Sequence, residues 1–481
     1  MLRLIKNILG KTIKFIYRIT YKLIPTHKKT ILFIAFHGRG YSDNPRAIYE
    51  YMRQQDQFKD YRFIWAIKHY KKKNISIENA KVIEYFSIPY FFYLARSQYW
   101  IANCKLPMYV LKKKNQIYLQ TWHGTPLKKL AFDIEVPEGT TFYRSGMNEE
   151  MMHETYAQDV KKYNYMISPS AFTTEIFQSA FRINRERLIE TGYPRNDFLT
   201  NYTEEDVLNI KKKLGIPLDK KVLLYAPTWR DNSYITKGYT FKLEVHFDKW
   251  QKILGDEYVI VFKPHYLIVN DFDIDQYQGF VYFVEANEYI IADALVTDYS
   301  SVFFDYAILK RPIYFYMYDL IHYRDELRGF YLDVYHDLPG DIIEDENQLL
   351  EEIKKGYDYQ RLDKFNQRFN NHEDGKASKM GLQKLILNII LGFLNIFVKR
   401  FKIKENQVAF VSLESKYLDS DMKLIYDVLK QDKQLNLKKV VIEYDQQGIK
   451  QNFLYMLNCI QQLFVINTSK VVIIRDNNYV V

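Results

Sequence analysis

Short apolar runs alternate with helical patterns along this 481-residue chain, and this alternation limits its fold more than any other feature. The first run covers residues 31–36 and leads through His37-Gly38-Arg39-Gly40 into a helical pattern at 47–52. A buried strand, a glycine turn and a helix form the opening unit of a doubly wound sheet. The same alternation predicts further strands at 61–65, 81–83, 99–101, 117–120, 222–225, 258–262, 294–296 and 312–315.

Two of the predicted strands are followed directly by a loop that contains a histidine. Thr121-Trp122-His123-Gly124-Thr125-Pro126 follows strand 117–120, and Lys263-Pro264-His265-Tyr266 follows strand 258–262. Open α/β sheets bind ligands outside the carboxyl ends of their strands. Two such domains facing each other would therefore bring both histidines to one cleft.

Five motifs in a fixed order carry a family resemblance. They are Thr121-Trp122-His123-Gly124-Thr125-Pro126-Leu127-Lys128-Lys129, Thr191-Gly192-Tyr193-Pro194-Arg195-Asn196-Asp197, Tyr225-Ala226-Pro227-Thr228-Trp229-Arg230, Lys263-Pro264-His265 and Thr297-Asp298-Tyr299-Ser300-Ser301-Val302-Phe303-Phe304-Asp305. The set resembles the CDP-glycerol glycerophosphotransferase family of teichoic acid polymerases and primases, from about residue 30 to residue 385. This resemblance implies an α/β, GT-B-like fold: two doubly wound, Rossmann-like domains facing a cleft, plus a partial α/β segment at the C-terminal end.

We expect four segments along the chain. They are a basic amphipathic, membrane-associating segment (1–27), an acceptor-side Rossmann-like domain (28–195), a CDP-donor-binding Rossmann-like domain (196–385) and a partial repeat of the first domain that lacks the His-Gly-Thr motif (386–481). The repeat is inferred because Ile390-Leu391-Gly392, Val408-Ala409-Phe410-Val411 and Leu424-Ile425-Tyr426-Asp427 echo residues 8–10, 31–34 and 47–50. The alternative is an unrelated small α/β cap.

The net charge of +10 implies an anionic partner, which is a nucleic acid, an anionic lipid or a phosphate-rich substrate. No nucleic-acid-binding motif is found, so we expect no nucleic-acid partner. The two cysteines, Cys104 and Cys459, are far apart and lack metal-ligand spacing, which suits a reducing cytosol.

The chain also lacks the loops that bind common cofactors. The sequence contains no Walker loop and no GxGxxG, which argues against phosphoryl transfer from ATP and against dinucleotide redox chemistry. The carboxylates of Asp271-Phe272-Asp273-Ile274-Asp275 are interpreted as a solvated loop. We therefore expect no cofactor and no metal.

The amino-terminal segment from Met1 to Ile24 mixes apolar residues with a lysine or arginine every few positions. This pattern argues against a spanning helix and against a signal peptide. It predicts a basic amphipathic helix on an anionic membrane surface, or alternatively a helix packed on the protein itself. The apolar stretch from Leu385 to Val398 is interpreted as too short to span. We expect a peripheral protein at the cytoplasmic face of the plasma membrane.

Attack of a hydroxyl group on a pyrophosphate requires a base, groups that stabilise the phosphate oxygens and a nucleotide site. His123 suits the base because its ordinary pKa lies near neutrality, although a capping or core histidine is the alternative. Gly124 lets the backbone approach the substrate, and Thr125 and Pro126 are expected to start a helix with NH groups aimed at phosphate. His265 is expected to stabilise the splitting diphosphate.

The remaining donor-binding residues are taken mainly from the resemblance. Arg195 would neutralise a donor phosphate, with a surface ion pair as the alternative. Ser300 and Ser301 would contact the CDP pyrophosphate, with helix capping as the alternative. Asp298 would orient its loop or accept a ribose hydroxyl. The predicted donor-binding set is Gly124, Thr125, Pro126, Leu127, Arg195, Pro227, Thr228, Lys263, Pro264, Ser300, Ser301 and Asp305.

The resemblance implies an enzyme that transfers glycerol phosphate from CDP-glycerol to a hydroxyl of a lipid-linked teichoic acid or related wall polymer, releasing CMP. CDP-ribitol is the closest alternative donor, because both donors present the same nucleotide and diphosphate. Alternatives of other classes are a GT-B capsule sugar transferase and a non-catalytic scaffold that binds wall polymer. The choice between primase and polymerase, the metal dependence and the oligomeric state stay open.

Overall fold

The computed structural model describes residues 2–136, 146–228, 234–235, 238–239, 243–263, 275–284, 289–322, 329–412, 417–418, 420–441 and 449–474. The chain divides into two compact units, Met1–Lys379 and Met380–Val481. The first unit contains two large parallel sheets and the second a small one.

The first sheet has seven strands in the order β3-β2-β1-β4-β5-β6-β7. Its central strands are buried on both faces, which is why they appear in the sequence as continuous apolar runs. The seven strands are β1 (His27–Ile34), β2 (Arg62–Ile67), β3 (Ala80–Glu84), β4 (Ser97–Ala102), β5 (Ile117–Gln120), β6 (Tyr165–Ser168) and β7 (Leu188–Glu190). All of the pairings between them are parallel.

The helices of this part of the chain are α1 (Leu2–Thr20), α2 (Asp43–Arg53), α3 (Ile88–Arg96), α4 (Glu149–Val160), α5 (Ala171–Ala180), α6 (Asp197–Asn201) and α7 (Glu204–Leu214). Local capping explains several of their ends. The Ser87 hydroxyl accepts from the Tyr90 NH at the start of α3, and a capping box between Thr203 and Asp206 starts α7.

The second sheet has six parallel strands in the order β12-β11-β8-β13-β14-β15. When the six strands are numbered 1 to 6 by their order in the chain, the order across the sheet is 3-2-1-4-5-6. This is the strand order of a doubly wound dinucleotide-binding fold. The strands are β8 (Lys221–Ala226), β11 (Tyr258–Phe262), β12 (Val281–Phe283), β13 (Ala294–Thr297), β14 (Ile313–Tyr316) and β15 (Ile342–Ile343), and the short pair β9 (Tyr234–Ile235) and β10 (Gly238–Tyr239) lies between β8 and β11 in the chain. The helices are α8 (Phe247–Leu254), α9 (Val302–Ala307), α10 (Leu320–His322), α11 (Glu346–Lys355) and α12 (Tyr359–Phe369). The two parallel sheets confirm the predicted α/β fold.

Apolar side chains join the two halves of the first unit. Leu127, which follows the first histidine loop, is 2% exposed and lies in the core of the second sheet. Phe172 of α5 meets Phe369 of α12 edge to face, with 4.9 Å between ring centroids. Packing of this kind holds the carboxyl edges of the two sheets in a defined relation.

The amino-terminal helix α1 packs on the first sheet through one face. Tyr17 is 3% exposed, and its hydroxyl donates to the Leu111 carbonyl at 2.8 Å. Phe15, Ile16 and Ile19 are exposed on the same helix. One face of the helix therefore packs on the protein, and the other presents apolar side chains to solvent. The association of this segment with a membrane stays a prediction.

The second unit contains most of α13 (Ala377–Val398), followed by β16 (Lys404–Ser412), α14 (Ser420–Leu429), β17 (Asn436–Val441), α15 (Ile449–Thr468) and β18 (Ser469–Ile474). Its three strands are parallel, with β16 in the centre. Val408 pairs with Leu437 and Val471, as Ile31 pairs with Phe63 and Tyr99.

The registers of the small sheet bear on the predicted repeat. The pairing of β1 with β4 shifts between His27 and Ile31, and the pairing of β16 with β18 shifts at the matching place, between Lys404 and Val408. A register is set by turn geometry and by which face is buried. The common strand order and the common shift support the repeat, which stays a prediction.

The interpretation of residues 385–398 as too short to span was wrong on length. The helix α13 begins at Ala377 and has 22 residues, and by length and composition it is apolar and long enough to cross a membrane. Its start was missed because the first turns are polar. They are held by Asp197, whose carboxylate accepts from the Ala377 and Ser378 NH groups at 2.7 and 2.8 Å. Length and composition alone do not separate a spanning helix from a packed one.

Candidate functional site

The carboxyl ends of four neighbouring strands of the first sheet, β2, β1, β4 and β5, form one edge, and hydrogen bonds join the loops that follow them. The Lys68 NH donates to the Gly38 carbonyl at 2.6 Å, which joins the β2 and β1 loops. The Phe36 NH donates to Asn103 Oδ1 at 2.8 Å, which joins the β1 and β4 loops. His123 Nδ1 lies 2.6 Å from the Asn103 carbonyl, which joins the β4 and β5 loops.

The contact at Nδ1 decides which nitrogen of His123 can act as a base. A carbonyl oxygen only accepts, so Nδ1 carries the proton in the neutral ring and Nε2 holds the basic lone pair. Cys104 Sγ lies 3.9 Å from Nδ1, and burial raises the pKa of that thiol to about 12, so it stays protonated at neutral pH. The half-buried ring also packs against Trp122, with 4.4 Å between ring centroids. The geometry is that of an oriented general base.

A chain of polar side chains holds the Asn103 carbonyl in place. The Asn103 side-chain amide donates to Asp43 at the start of α2. Asn44, the next residue, donates to the Trp122 carbonyl at 3.0 Å and accepts from the Arg195 NH at 3.0 Å. The histidine loop is thus supported from α2 through both Asn103 and Asn44.

Arg195 links this chain to the second sheet. Its guanidinium donates to Asp43 at 2.8 Å and to Asp305 of α9 at 2.7 Å, with the three side chains 13%, 6% and 7% exposed. Burial disfavours the charged guanidinium, but Asp305 and Asp43 raise the pKa of Arg195 above its ordinary value. Removing one partner of such a buried pair typically costs about 3–5 kcal/mol. The structure therefore shows Arg195 and Asp305 in an ion network between the two sheets, and their predicted contact with donor phosphate stays a prediction.

Glu373 extends the same network from the far side. Its carboxyl group accepts from the Tyr193 NH at 2.9 Å and from the Asn196 side chain at 3.2 Å, and Asn196 also donates to Asp305 at 3.1 Å. Burial raises the pKa of Glu373 to about 8, so the group is protonated at neutral pH.

The His123 loop approaches the second sheet closely at Gly124. A Cβ atom placed on Gly124 would lie 3.3 Å from the Ser301 hydroxyl, so only glycine lets the two motifs approach without displacement. The Tyr193 hydroxyl donates to the Gly124 carbonyl at 2.9 Å and fixes this loop.

The expectation that Thr125 and Pro126 start a helix is wrong. The chain remains non-helical until the single 3-10 turn Ala131–Asp133, with Thr125, Pro126 and Leu127 buried. The reason lies in tertiary contacts: the Leu127 carbonyl accepts from the Tyr331 NH at 2.9 Å, and Lys128 forms an antiparallel bridge with Phe330. These contacts direct the segment along the second half of the unit.

At the second sheet, Asp298 organises the edge. One carboxylate oxygen accepts from the Thr228 NH at 2.8 Å and from the Tyr299 NH at 2.7 Å. Of the two roles left open by the sequence, the structure shows loop orientation. It also places the predicted residues Pro227 and Thr228, both buried, directly after β8.

Ser300, Ser301 and Lys263 belong to the same edge. The Ser300 hydroxyl accepts from the Val302 NH at 3.4 Å, whereas the Ser301 side chain forms no cap bond with α9. The Lys263 NH donates to the Tyr225 carbonyl at 2.9 Å, and burial lowers the pKa of its amine. Of these residues, Ser301 is the one shown to approach the His123 loop, at Gly124. The predicted contacts with a donor stay predictions.

Two predicted residues, Pro264 and His265, lie outside the described residues, as do residues 271–274 of the aspartate run. Within the part of the chain that the structure describes, no group of three or more histidine, cysteine, aspartate or glutamate side chains is arranged to hold a metal.

Sequence reasoning missed Asp43, Asn44, Asn103 and Glu373. Asn103 lies two residues after the predicted strand 99–101. Because ligands bind at the carboxyl ends of strands in such sheets, this position could have indicated a functional residue. Asp43 and Asn44 precede Pro45 at the start of a helix. Polar residues and proline are common there, so the sequence indicates only helix capping. Nothing local to Glu373 indicates a partner 177 residues away in the chain.

The chain is similar to a known protein family and to several of its members. The model of a family described as CDP-Glycerol:Poly(glycerophosphate) glycerophosphotransferase matches residues 15–387. The chain is 40% identical over 356 residues to a teichoic acid poly(glycerol phosphate) polymerase of Bacillus subtilis, covering 73% of this chain and 46% of that protein. It is 40% identical over 391 residues to a teichoic acid glycerol-phosphate transferase of Staphylococcus aureus, covering 78% of this chain and 98% of the other.

A solved structure and a more distant relative complete the comparison. The structure of the wall teichoic acid polymerase TagF matches with a TM-score of 0.72 and 40% identity, over 80% of this chain and 95% of that one. A teichoic acid poly(ribitol-phosphate) polymerase of Bacillus spizizenii is 29% identical over 395 residues, covering 80% of this chain and 60% of the other. The chain thus spans about half the length of one relative and nearly all of another.

Proposed function

Because the chain belongs to the CDP-glycerol glycerophosphotransferase family, we propose that it transfers glycerol phosphate from CDP-glycerol to a hydroxyl of a teichoic acid acceptor and releases CMP. The observation that carries the proposal is the approach of the His123 loop to Ser301, at 3.3 Å from the Cβ position of Gly124. A base on one sheet thereby faces the donor motif of the other.

The reaction joins the acceptor oxygen to the phosphorus atom that bears the glycerol. His123 Nε2 takes the proton of the attacking hydroxyl, the new P–O bond forms, and the bond to the CMP oxygen breaks with its electron pair. Asn103 keeps Nδ1 protonated and the ring oriented during this step. The charge that develops on the leaving phosphate is met by Lys263 and His265, in keeping with the motif that contains them.

Glycerol is the favoured polyol of the donor. Over the aligned residues, the two glycerol-phosphate relatives are 40% identical to this chain, whereas the ribitol-phosphate polymerase is 29% identical. The family match also favours a CDP-polyol over the nucleotide sugar of a capsule sugar transferase. A non-catalytic scaffold would have no need for the oriented base at His123.

The donor test compares CDP-glycerol, CDP-ribitol and a nucleotide sugar with one glycerol-phosphate primer. CMP release and product mass are measured, and we expect CDP-glycerol to react at least about tenfold faster than CDP-ribitol, which corresponds to about 1.4 kcal/mol of discrimination. Product mass that grows by one unit or by many separates a primase from a polymerase. Preference for CDP-ribitol or for the sugar donor would overturn the assignment.

We further propose that the enzyme binds the cytoplasmic face of the membrane through the exposed side of α1. Ile16 and Ile19 are exposed there beside Lys11 and Arg18. Apolar side chains with flanking cations are the pattern of an interfacial helix on anionic lipid. Both cysteines are free thiols, which fits a reducing compartment.

This surface is tested by substitution rather than by deletion, because removing α1 would also remove the buried Tyr17 from the core. Ile16→Glu with Ile19→Glu should reduce sedimentation with anionic vesicles while leaving CMP release with a soluble primer intact. Leu218→Glu, at an exposed leucine after α7, serves as the matched control. Equal vesicle binding by all three proteins would contradict the membrane role.

A further inference from the structure

A group of basic side chains lies next to His123 on the first sheet and is not used by the chemistry described above. His37 and Arg39 follow β1, Lys68 follows β2, and Lys105 follows β4. Because these strands are adjacent and parallel, all four residues emerge at one edge, beside the β5 loop that carries His123. We call these four residues the basic cluster.

Backbone contacts hold the basic cluster together. The Lys68 NH donates to the Gly38 carbonyl at 2.6 Å, and the Lys73 amine donates to the Arg39 carbonyl at 2.9 Å. Gly38 has φ +82°, and a Cβ atom there would lie 2.8 Å from the Tyr85 ring, so the turn passes closely over the end of β3. His37 itself adopts a positive φ of 55°. Strained backbone of this kind persists where the surroundings impose it, and it is common at binding sites.

The charges of the basic cluster act on one another. Burial, followed by the positive charges of Lys68 and Arg39 and then those of His123 and Lys105, lowers the pKa of His37 to about 4. Burial and Arg39 also lower the pKa of the Lys68 amine. At neutral pH His37 is therefore uncharged, and the cations of the basic cluster are Arg39, Lys68 and Lys105. Cations held this close in a partly desolvated site repel each other, and a bound anion would relieve that repulsion.

Neither lysine forms an ion pair with a carboxylate that the structure describes, although the carboxylate of Asp159 lies close enough to raise the pKa of the Lys105 amine against the effect of burial. Among the residues that the structure describes, Lys68 lies over the Tyr85 ring at 5.0 Å, and Lys105 donates to the Thr155 hydroxyl at 2.8 Å. The basic cluster is thus a group of cations at the carboxyl edge of the first sheet.

We propose that the basic cluster binds the last phosphodiester of the acceptor chain and so places the terminal glycerol hydroxyl at His123. This inference rests on the proposed function and names the acceptor-side contact. A glycerol-phosphate chain carries its nearest negative charge one glycerol unit from the attacking hydroxyl. The donor phosphates are assigned to the opposite side, at Ser301 and Lys263, so the two anionic groups would occupy different sheets.

The test separates acceptor binding from donor binding. Lys68→Gln and, separately, Lys105→Gln should each raise the KM for a glycerol-phosphate primer about tenfold, the worth of one charge-assisted hydrogen bond, with the KM for CDP-glycerol unchanged. Lys71→Gln is the matched control, an exposed lysine three residues beyond Lys68. Circular dichroism establishes that the variants are folded, and the second lysine keeps the test valid should one variant fail to fold.

A modified primer tests the charge itself. In it the last phosphodiester is replaced by an uncharged methylphosphonate, and we expect wild type and Lys68→Gln to have equal KM values for this primer. A rise in the KM for CDP-glycerol, or a Lys68→Gln penalty that persists with the uncharged primer, would overturn the proposal. Failure of the wild-type enzyme to use CDP-glycerol at all would instead contradict the proposed function.

Discussion

At the scale of single residues, the proposed catalysis depends on which nitrogen of His123 is basic. The Asn103 carbonyl, 2.6 Å from Nδ1, makes Nε2 the base of His123. The carbonyl is held in turn by the Asn103 side chain, which bonds to Asp43 and to the Phe36 NH. Asn103 is therefore a positioning residue, because it acts through His123 and not on the substrate.

Asn103→Ala should lower kcat by about tenfold or more, because a small displacement of a reacting group is costly. The KM for CDP-glycerol should stay unchanged, because Asn103 is not one of the predicted donor-binding residues. Steady-state kinetics of CMP release check this split. Asn184→Ala, at an exposed asparagine of the same domain, is the control. A rise in KM with unchanged kcat would show that Asn103 serves binding instead.

The raised pKa of Glu373 makes the free energy of unfolding depend on pH. Burial raises its pKa from the ordinary 4.5 to about 8, so between these values the folded protein keeps a proton that the unfolded chain has lost. Through this group alone, the free energy of unfolding falls by about 1.4 kcal/mol per pH unit over that window as pH rises. Glu373→Gln should remove this slope, and below pH 4.5 the two proteins should be equally stable.

Urea unfolding of wild type and Glu373→Gln at pH 5, 6.5 and 8 measures the difference. Glu351→Gln, at an exposed glutamate of α11, is the control and should follow the wild type. Parallel curves for wild type and Glu373→Gln would mean that the buried carboxyl group titrates as an ordinary one.

At the scale of elements, the strands could be predicted and some loops could not. The strands 117–120 and 258–262 were predicted with the observed bounds, because a strand buried on both faces appears as an unbroken apolar run. The segment after Thr125 was predicted to be a helix, but it is extended because Leu127 and Lys128 pair with residues about 200 positions later. Local sequence carries no record of such partners, and the same limit hid Glu373.

The close approach of the two motif loops gives a prediction at Gly124. Gly124→Ala should raise the KM for CDP-glycerol about tenfold, because the added Cβ atom lies 3.3 Å from the Ser301 hydroxyl and must displace it. The melting temperature should change little. Gly40→Ala is the control, since nothing lies within 4 Å of its Cβ position. An unchanged KM for CDP-glycerol in Gly124→Ala would show that Ser301 does not contribute to donor binding.

At the scale of the whole molecule, the first unit combines two parallel sheets. In the proposed function, the first sheet carries the base His123, and the second carries Ser300 and Ser301, which are predicted to contact the donor. Arg195 joins the two sheets through Asp43 and Asp305. The sequence predicted the two sheets from alternation and their motifs from resemblance, but the ion network between them depends on contacts across 152 and 110 positions.

The most direct test of the central claim is the rate of CMP release from CDP-glycerol in the presence of a glycerol-phosphate primer, for wild type and His123→Ala. Loss of a general base typically costs about 10²–10⁴-fold, so the variant should release CMP at no more than about a hundredth of the wild-type rate while remaining folded. A variant that keeps more than about a tenth of that rate would have lost less than about tenfold, which is too little for a general base. That result would contradict the assignment of His123 as the base.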